Sequence, residues 1–150
     1  MKWIVLAGSS DTRKTWTLTE VVIALVNRHG AQLLSPQILP TPHPAVPPNI
    51  WPYYDNGIYE LKYQNKLIVI KTGGDTPGIV EDGFNTAQSR NADILISAAH
   101  ARSGSNHIKA IDSKIVDNLA EVFVIAALDH DHATMPAIVK WRVQQIIDML

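Results

Sequence analysis

The sequence predicts an α/β protein: a three-layer α/β/α sandwich with a mainly parallel five-stranded sheet. Apolar segments of strand length alternate with longer segments whose apolar residues recur at helical spacing, which is typical of a parallel sheet with helices on both faces. A hydrophobic fraction of 46% with only 18% charged residues indicates a packed chain rather than a disordered one. These two observations fix the predicted fold class.

Composition and net charge limit the classes of function that the chain can have. The 150 residues are predicted to form one α/β domain, residues 1–150. A net charge of −1 gives no general attraction to nucleic acid, so we expect a polyanion to bind only at a local site. The chain has no cysteine, which excludes disulfides and thiolate metal ligands. The apolar run before Gly8 is too short for a signal peptide and no later run could span a membrane, so we expect a cytoplasmic protein without membrane association.

The first predicted elements are a buried strand from Trp3 to Ala7 and an amphipathic helix that follows it. We expect Gly30 to end this helix in the left-handed conformation, after Arg28 and His29 in its last turn. The apolar stripe of the helix is Leu18, Val21, Val22, Leu25 and Val26.

Two starts of the helix stay open. It can begin at Lys14, or a capping box of Thr17 and Glu20 can start it later and leave Lys14 in the loop.

A Pro-rich loop at 35–57 follows. Proline excludes helix and interior strand here. Two interpretations stay open, a lid or binding loop and an extended arm that packs its apolar residues on the domain. The prolines in this loop are Pro36, Pro40, Pro42, Pro44, Pro47, Pro48 and Pro52.

The remaining segments complete the predicted sheet. Residues 59–63 alternate between apolar and polar side chains, residues 64–66 form a turn, and residues 67–70 are apolar throughout, which together predict a hairpin with a buried second strand. Residues 92–99 and 121–128 predict two further strands. We expect one helix with Thr76 as N-cap and Pro77 as first residue, one carrying Ile108 to Leu119, and one starting near Pro136.

The loop after the first strand resembles the Walker A loop of the P-loop NTPase superfamily, G-x-x-x-x-G-K-[ST], with Arg13 in place of the second glycine. The resemblance implies a P-loop NTPase-like fold in which the loop backbone cradles phosphate, Lys14 neutralises it and Thr15 holds Mg²⁺. Without the resemblance, the segment is an ordinary strand-loop-helix with a solvated Lys14. The implied cofactor-binding residues are Gly8, Ser9, Ser10, Asp11, Thr12, Arg13, Lys14 and Thr15.

The segment from Asp75 to Gly78 resembles the D-x-x-G motif of P-loop GTPases, which implies that Asp75 is a second metal residue and that Thr41 acts in the long loop as the switch threonine. No guanine-reading [NT]-K-x-D motif follows a later strand, so ATP and GTP both stay open. If the strands before Gly8 and Gly73 are parallel neighbours, one Mg²⁺-phosphate unit bridges Lys14 and Asp75. Alternatively, this segment is a Gly-rich turn that caps its own helix.

Polar residues follow four of the predicted strands, and ligands of open α/β sheets bind beyond the carboxyl ends of strands. We expect Arg102 to act as a second phosphate clamp, so that Lys14 and Arg102 form the catalytic pair. A rival interpretation uses the segment 129–132 with His100 as a site for Zn²⁺, Mn²⁺ or Fe²⁺. The residues expected at this edge are Lys14, Asp75, His100, Arg102, Asp129 and His130.

These features predict binding of a nucleoside triphosphate, ATP or GTP, or of another phosphorylated ligand with Mg²⁺. Whether slow hydrolysis or phosphoryl transfer follows stays open, as does the oligomeric state. Two alternatives are a metal-dependent hydrolase on a flavodoxin-like sheet and a non-catalytic P-loop relic that acts as an interaction module through its Pro-rich loop.

Overall fold

The computed structural model describes residues 1–9, 12–47, 50–51, 53–74, 76–101, 105–131 and 133–150. The strands in these ranges are β1 (Lys2–Gly8), β2 (Gln32–Ser35), β3 (Ile58–Tyr63), β4 (Lys66–Lys71), β5 (Ile94–His100) and β6 (Glu121–Ala126). The helices are α1 (Lys14–His29), α2 (Pro77–Ser89), α3 (Asn106–Val116) and α4 (Met135–Asp148). None of these helices is long and apolar enough to cross a membrane.

The strands form one sheet in the order β2-β3-β4-β5-β1-β6. β4, β5, β1 and β6 pair in parallel, whereas β3 pairs antiparallel with both β2 and β4. The sheet is therefore mixed and six-stranded, and the prediction of a mainly parallel five-stranded sheet is wrong on both points. The additional strand is β2, whose sequence Gln-Leu-Leu-Ser lacks the alternation of apolar and polar residues by which a strand is identified from sequence.

β1 and β4 are not neighbours, because β5 pairs with both of them. The premise that Lys14 and Asp75 follow adjacent parallel strands is therefore wrong. Two strand spacings, about 10 Å, separate the ends of β1 and β4. A contact between the loops that follow them must cross the end of β5.

Helices pack against both faces of the sheet. Along β1, Ile4 and Leu6 belong to an apolar cluster shared with α1 and α4, whereas Trp3 and Val5 belong to a cluster shared with α2 and α3. Neighbouring residues of a strand point to opposite faces, so one buried strand serves both clusters. This burial on two sides explains why β1 is apolar from Trp3 to Ala7.

Several predicted element ends are confirmed. Gly30 follows α1 with φ 71°, as a left-handed C-cap. Thr76 caps α2 by accepting the amide hydrogen of Ile79, and Pro77 is the first residue of α2. The predicted hairpin is the antiparallel pair β3 and β4.

The later start of α1 is wrong, because the helix begins at Lys14. The Thr17 hydroxyl does not cap a helix N-terminus. It donates to the carbonyl oxygen of Arg13 at 2.9 Å, one turn back within the helix.

Residues 36–57, which we call the Pro-rich arm, lie between β2 and β3. Ser35, the first residue of the predicted loop, belongs to β2. In the described part of the arm, His43 and Tyr53 form an isolated antiparallel bridge, and their rings stack with centroids 4.6 Å apart. The His43 ring also contacts the Asp55 carboxylate at 2.9 Å. These contacts fold the arm back on itself.

Candidate functional site

The loops after β1, β5 and β6 leave the same edge of the sheet side by side. Gly8 at the end of β1 lies opposite His100 at the end of β5. Beyond the strands, Ala101 N donates to Gly8 O at 3.1 Å, and Ala127 N donates to Ala7 O at 2.7 Å. β4 runs parallel to β5, so the loop after β4 leaves the sheet in the same direction. The predicted convergence at the carboxyl edge therefore holds for these strand ends.

Lys14 is the first residue of α1, its side chain extends into the loop between β1 and α1, and only 8% of it is exposed. Its Nζ donates to Ser9 O at 2.6 Å, to Gly8 O at 3.1 Å and to Thr12 Oγ1 at 3.2 Å. A buried ammonium requires such acceptors, because removing it from water without replacing its hydrogen bonds is costly. The loop therefore curves around the Lys14 ammonium, and the interpretation of Lys14 as a solvated side chain is wrong.

Arg13 precedes α1 in the left-handed conformation, with φ 60° and ψ 38°. This conformation costs a residue with a Cβ atom about 1 kcal/mol, whereas glycine adopts it freely. Arg13 occupies the N-cap position without a side-chain cap, and the first turn holds no acidic residue. Its Nε is buried and has no hydrogen-bond partner within the described ranges. Arg13 and Lys14 thus place two positive charges at the N-terminus of α1, which is the positive end of the helix dipole.

Thr15 connects the first loop to the end of β4. Its Oγ1 donates to Thr72 O at 3.0 Å and lies 3.4 Å from Asn56 Oδ1. A hydroxyl has a single hydrogen, which Thr15 donates to Thr72 O. The lone pairs of Thr15 Oγ1 therefore remain able to accept a hydrogen bond or to coordinate a metal ion. The first turn of α1 therefore contacts the segment after β4, although β1 and β4 are not neighbours.

Glycines allow the loop after β4 to approach its surroundings closely. A Cβ atom at Gly73 would lie 2.8 Å from Asn56 Cγ, and one at Gly74 would lie 2.2 Å from Ala98 O of β5. Real Cβ atoms do not approach carbonyl oxygens this closely. Gly74 is therefore required by packing against the backbone of β5, whereas a Cβ atom at Gly73 would displace the Asn56 side chain.

The Pro-rich arm reaches the site along α1. Trp51 packs on Trp16 with ring centroids 5.8 Å apart, and the Tyr54 hydroxyl donates to Glu20 Oε1 at 2.9 Å. Burial, and then the hydrogen bond to the Glu20 carboxylate, raise the pKa of Tyr54 above the ordinary tyrosine value. Trp51 and Tyr54 thus pack on α1, and Asn56 at the arm's end contacts the site.

Asn56, rather than Thr41, makes the described contact between the arm and Thr15. Thr41 is exposed. Sequence reasoning missed Asn56 because Asn-Gly before a strand is the ordinary signal of a turn. Gly57 holds the end of the arm in place, since its amide donates to Thr72 Oγ1 at 2.8 Å and its carbonyl accepts from Thr72 N at 3.0 Å.

Arg142 of α4 lies behind the first loop and is 1% exposed. Its Nη1 donates to Thr12 O and its Nη2 donates to Leu128 O, both at 2.6 Å. Burial lowers the pKa of Arg142 from the ordinary arginine value. Arg142 was missed at the sequence level, although its spacing from Val139 and Ile146 places it on the buried stripe of α4.

The predicted metal cluster is not formed by the described residues. Asp129 Oδ1 accepts the amide hydrogen of His130 at 3.0 Å, and Asp131 O accepts that of Thr134 at 3.0 Å, which are local turn contacts. Across the described ranges, no group of three or more His, Cys, Asp or Glu side chains is placed to hold a metal ion.

His100 and His107 lie near the same edge, with ring centroids 5.7 Å apart. His107 is buried, and its Nε2 has no hydrogen-bond partner in the part of the chain that the structure describes. Five predicted site residues fall outside the described residues, and their roles stay predictions: Ser10, Asp11, Asp75, Arg102 and His132.

In comparisons with known proteins, no protein-family model, curated protein or solved structure matches this chain.

Proposed function

We propose that the loop from Gly8 to Thr15 binds the phosphates of a nucleoside triphosphate, or of another phosphorylated ligand, together with Mg²⁺. The observation that carries this proposal is the Lys14 ammonium, buried within the loop at the N-terminus of α1. A lysine ammonium and the amide groups of a helix N-terminus both complement a phosphate oxyanion. A phosphate oxygen accepts a hydrogen bond from an ammonium more strongly than a backbone carbonyl does.

The backbone of Arg13 supports the resemblance to the Walker A loop. The motif has glycine at this position, and the left-handed φ of 60° is a conformation that glycine adopts without strain. A loop that passes through this conformation turns its amide groups inward. The P-loop NTPase-like, three-layer form of the fold is part of this proposal.

The oxygen atoms around Thr15 fit Mg²⁺. Thr15 Oγ1, Asn56 Oδ1 and Thr72 O are hard oxygen donors, the type that Mg²⁺ prefers. Thr15 and Asn56 would hold the ion, with Asp75 in the water-mediated role that the resemblance implies. Bound Mg²⁺ would neutralise phosphate charge.

Slow hydrolysis or phosphoryl transfer is the reaction class that such a site would support. In this proposal, Lys14 and Arg102 stabilise the charge of the transferred phosphoryl group, because electrostatic stabilisation is the main contribution of a protein to this chemistry.

Titration calorimetry with ATP, GTP and inorganic tripolyphosphate, each with Mg²⁺ and with EDTA, tests the proposal. Lys14→Ala should weaken tripolyphosphate binding by about 100-fold, because it removes charge-assisted hydrogen bonds worth about 3 kcal/mol. Lys62→Ala removes an exposed lysine of β3 and should change nothing. Lys14→Met serves as a second variant that fills the buried volume if the alanine variant does not fold.

The outcomes separate the alternatives. Failure of the wild-type protein to bind any of the three ligands at millimolar concentration would overturn the proposal. Equal binding by the wild type and a folded Lys14 variant would place the phosphate site elsewhere. A preference for ATP or GTP over tripolyphosphate would assign a base-binding contribution.

A non-catalytic interaction module is the second candidate, and exposed apolar residues of the Pro-rich arm favour it. Ile38 is 77% exposed and Val46 is 64% exposed. Singly exposed apolar residues are common, but four in one arm, with Ile50 56% and Tyr53 55% exposed as well, suit a protein contact. This candidate would be favoured by self-association that Ile38→Ser and Val46→Ser together remove, in a protein that binds none of the three phosphate ligands.

A further inference from the structure

Two buried cationic side chains meet at Thr12, a residue of the first loop that is itself only 1% exposed. Arg142 Nη1 donates to the Thr12 carbonyl oxygen at 2.6 Å, and Lys14 Nζ lies 3.2 Å from the Thr12 hydroxyl oxygen. Lys14 comes from the start of α1 and Arg142 from the middle of α4. The two cationic groups therefore contact the same loop residue, one at its carbonyl oxygen and the other at its hydroxyl.

The Arg142 guanidinium has hydrogen bonds to two backbone carbonyls, Thr12 O and Leu128 O. No ion pair joins it to a carboxylate within the described ranges. A buried charge is normally compensated by an opposite charge, because carbonyl dipoles replace only part of its hydration. A neutral amide side chain could tether a carbonyl without this desolvation cost. The hydrogen bonds to Thr12 O and Leu128 O therefore do not by themselves explain why this buried side chain is charged.

We propose that Arg142 is a positioning residue of the phosphate loop and that its buried charge is compensated by the phosphate oxygens of the ligand. This inference rests on the proposed function. Arg142 acts through Thr12, whose carbonyl it fixes, and so orients the loop segment that lies next to Lys14. Because the interior screens charge less than water does, a cation behind the loop attracts an anion in front of it.

Arg142 also connects the site to the end of β6. Its second hydrogen bond goes to Leu128 O, in the segment that follows β6 at the same edge of the sheet. One guanidinium thus holds the loops after β1 and β6 at a fixed separation. Arginine suits this task because its planar fork presents two donors in a rigid arrangement.

Two substitutions of Arg142 distinguish the effect of its positive charge from the effect of its hydrogen bonds. Arg142→Lys keeps a positive donor, and Arg142→Gln keeps a neutral donor of similar reach. If the charge matters, tripolyphosphate affinity should fall by about tenfold in Arg142→Gln and by less than about threefold in Arg142→Lys. Lys140→Met is the matched control, because it removes an exposed positive charge from the same helix and should leave the affinity unchanged.

Affinity is measured by calorimetry with Mg²⁺-tripolyphosphate and Mg²⁺-pyrophosphate, and folding by circular dichroism. The charge effect should be larger for tripolyphosphate, the more highly charged ligand. Equal losses in the Lys and Gln variants, or equal losses for both ligands, would reduce Arg142 to a structural tether. If the Gln variant does not fold, a folded Lys variant with a loss of tenfold or more would overturn the proposal.

Failure of the inference is distinguishable from failure of the proposed function. If the wild-type protein binds neither ligand, the phosphate site itself is wrong. If the wild type binds and Arg142→Gln binds equally well, only the role of Arg142 is wrong.

Discussion

The loops after β1 and β4 both lead from a buried strand into a helix, but the two helices begin differently. After β4, Thr76 accepts the amide hydrogen of Ile79 and Pro77 lacks an amide hydrogen, so α2 satisfies its own N-terminus. After β1, Arg13 provides no side-chain cap and the Lys14 ammonium lies inside the loop. α1 thus begins with two cationic residues and without a side-chain cap from Arg13.

This difference identifies the first loop as a place where the chain keeps features that lower the stability of the fold. α3 behaves like α2, because Ser105 accepts the amide hydrogen of Ile108. Three features with an energetic cost lie together around the first loop: the left-handed Arg13, the buried Lys14 and the buried Arg142. Local departures of this kind are typical of binding sites, where a ligand offsets their cost.

The largest expected effect concerns a feature that the two loops share. A Cβ atom at Gly8 would lie 2.3 Å from Ala127 O, and one at Gly74 would lie 2.2 Å from Ala98 O. Gly8→Ala and Gly74→Ala should each lower the free energy of unfolding by about 3 kcal/mol, because backbone must move. Urea denaturation measures this change.

Gly78→Ala is the control for these two substitutions. Open space surrounds the Cβ position of Gly78, which lies within α2. This substitution should raise stability by about 0.5 kcal/mol through helix propensity. If Gly8→Ala or Gly74→Ala were as mild as this control, the close packing of that loop would be wrong.

The second prediction distinguishes the residues of the proposed Mg²⁺ site from the residue that caps α2. Thr15→Ala and Asn56→Ala should each reduce the Mg²⁺-dependent part of tripolyphosphate affinity by about tenfold and leave the affinity in EDTA nearly unchanged. Thr76→Ala should lower stability by about 1 kcal/mol through loss of its cap, without a change in affinity. Calorimetry in Mg²⁺ and in EDTA measures both parts. Equal losses in the two buffers would show that Thr15 and Asn56 do not act through the metal.

The sequence predicted the elements with local signals and missed the features that depend on tertiary contact. Thr76, Pro77 and Gly30 identify helix ends through their own chemistry, so those predictions hold. The position of β5 between β1 and β4 has no local signal, because strand order depends on how crossovers pack.

The candidate site shows the same limit. Its first loop was found from its residue spacing, whereas Asn56 and Arg142 join it from 41 residues and 130 residues along the chain from their partners Thr15 and Thr12. Short polar side chains in turns and single cations in helices are common. Their roles appear only when the fold brings them to the loop.

The smallest effect tests the one position at which the first loop departs from the Walker A motif. Arg13→Gly should raise the free energy of unfolding by about 1 kcal/mol, because glycine adopts φ 60° without a Cβ penalty. The same substitution should weaken tripolyphosphate binding by about threefold, since the buried Arg13 Nε, without a partner among the described residues, is available to a phosphate oxygen. Denaturation and calorimetry on one preparation measure both. A gain in affinity would show that Arg13 obstructs the site, and unchanged affinity would show that the phosphate does not reach this end of the loop.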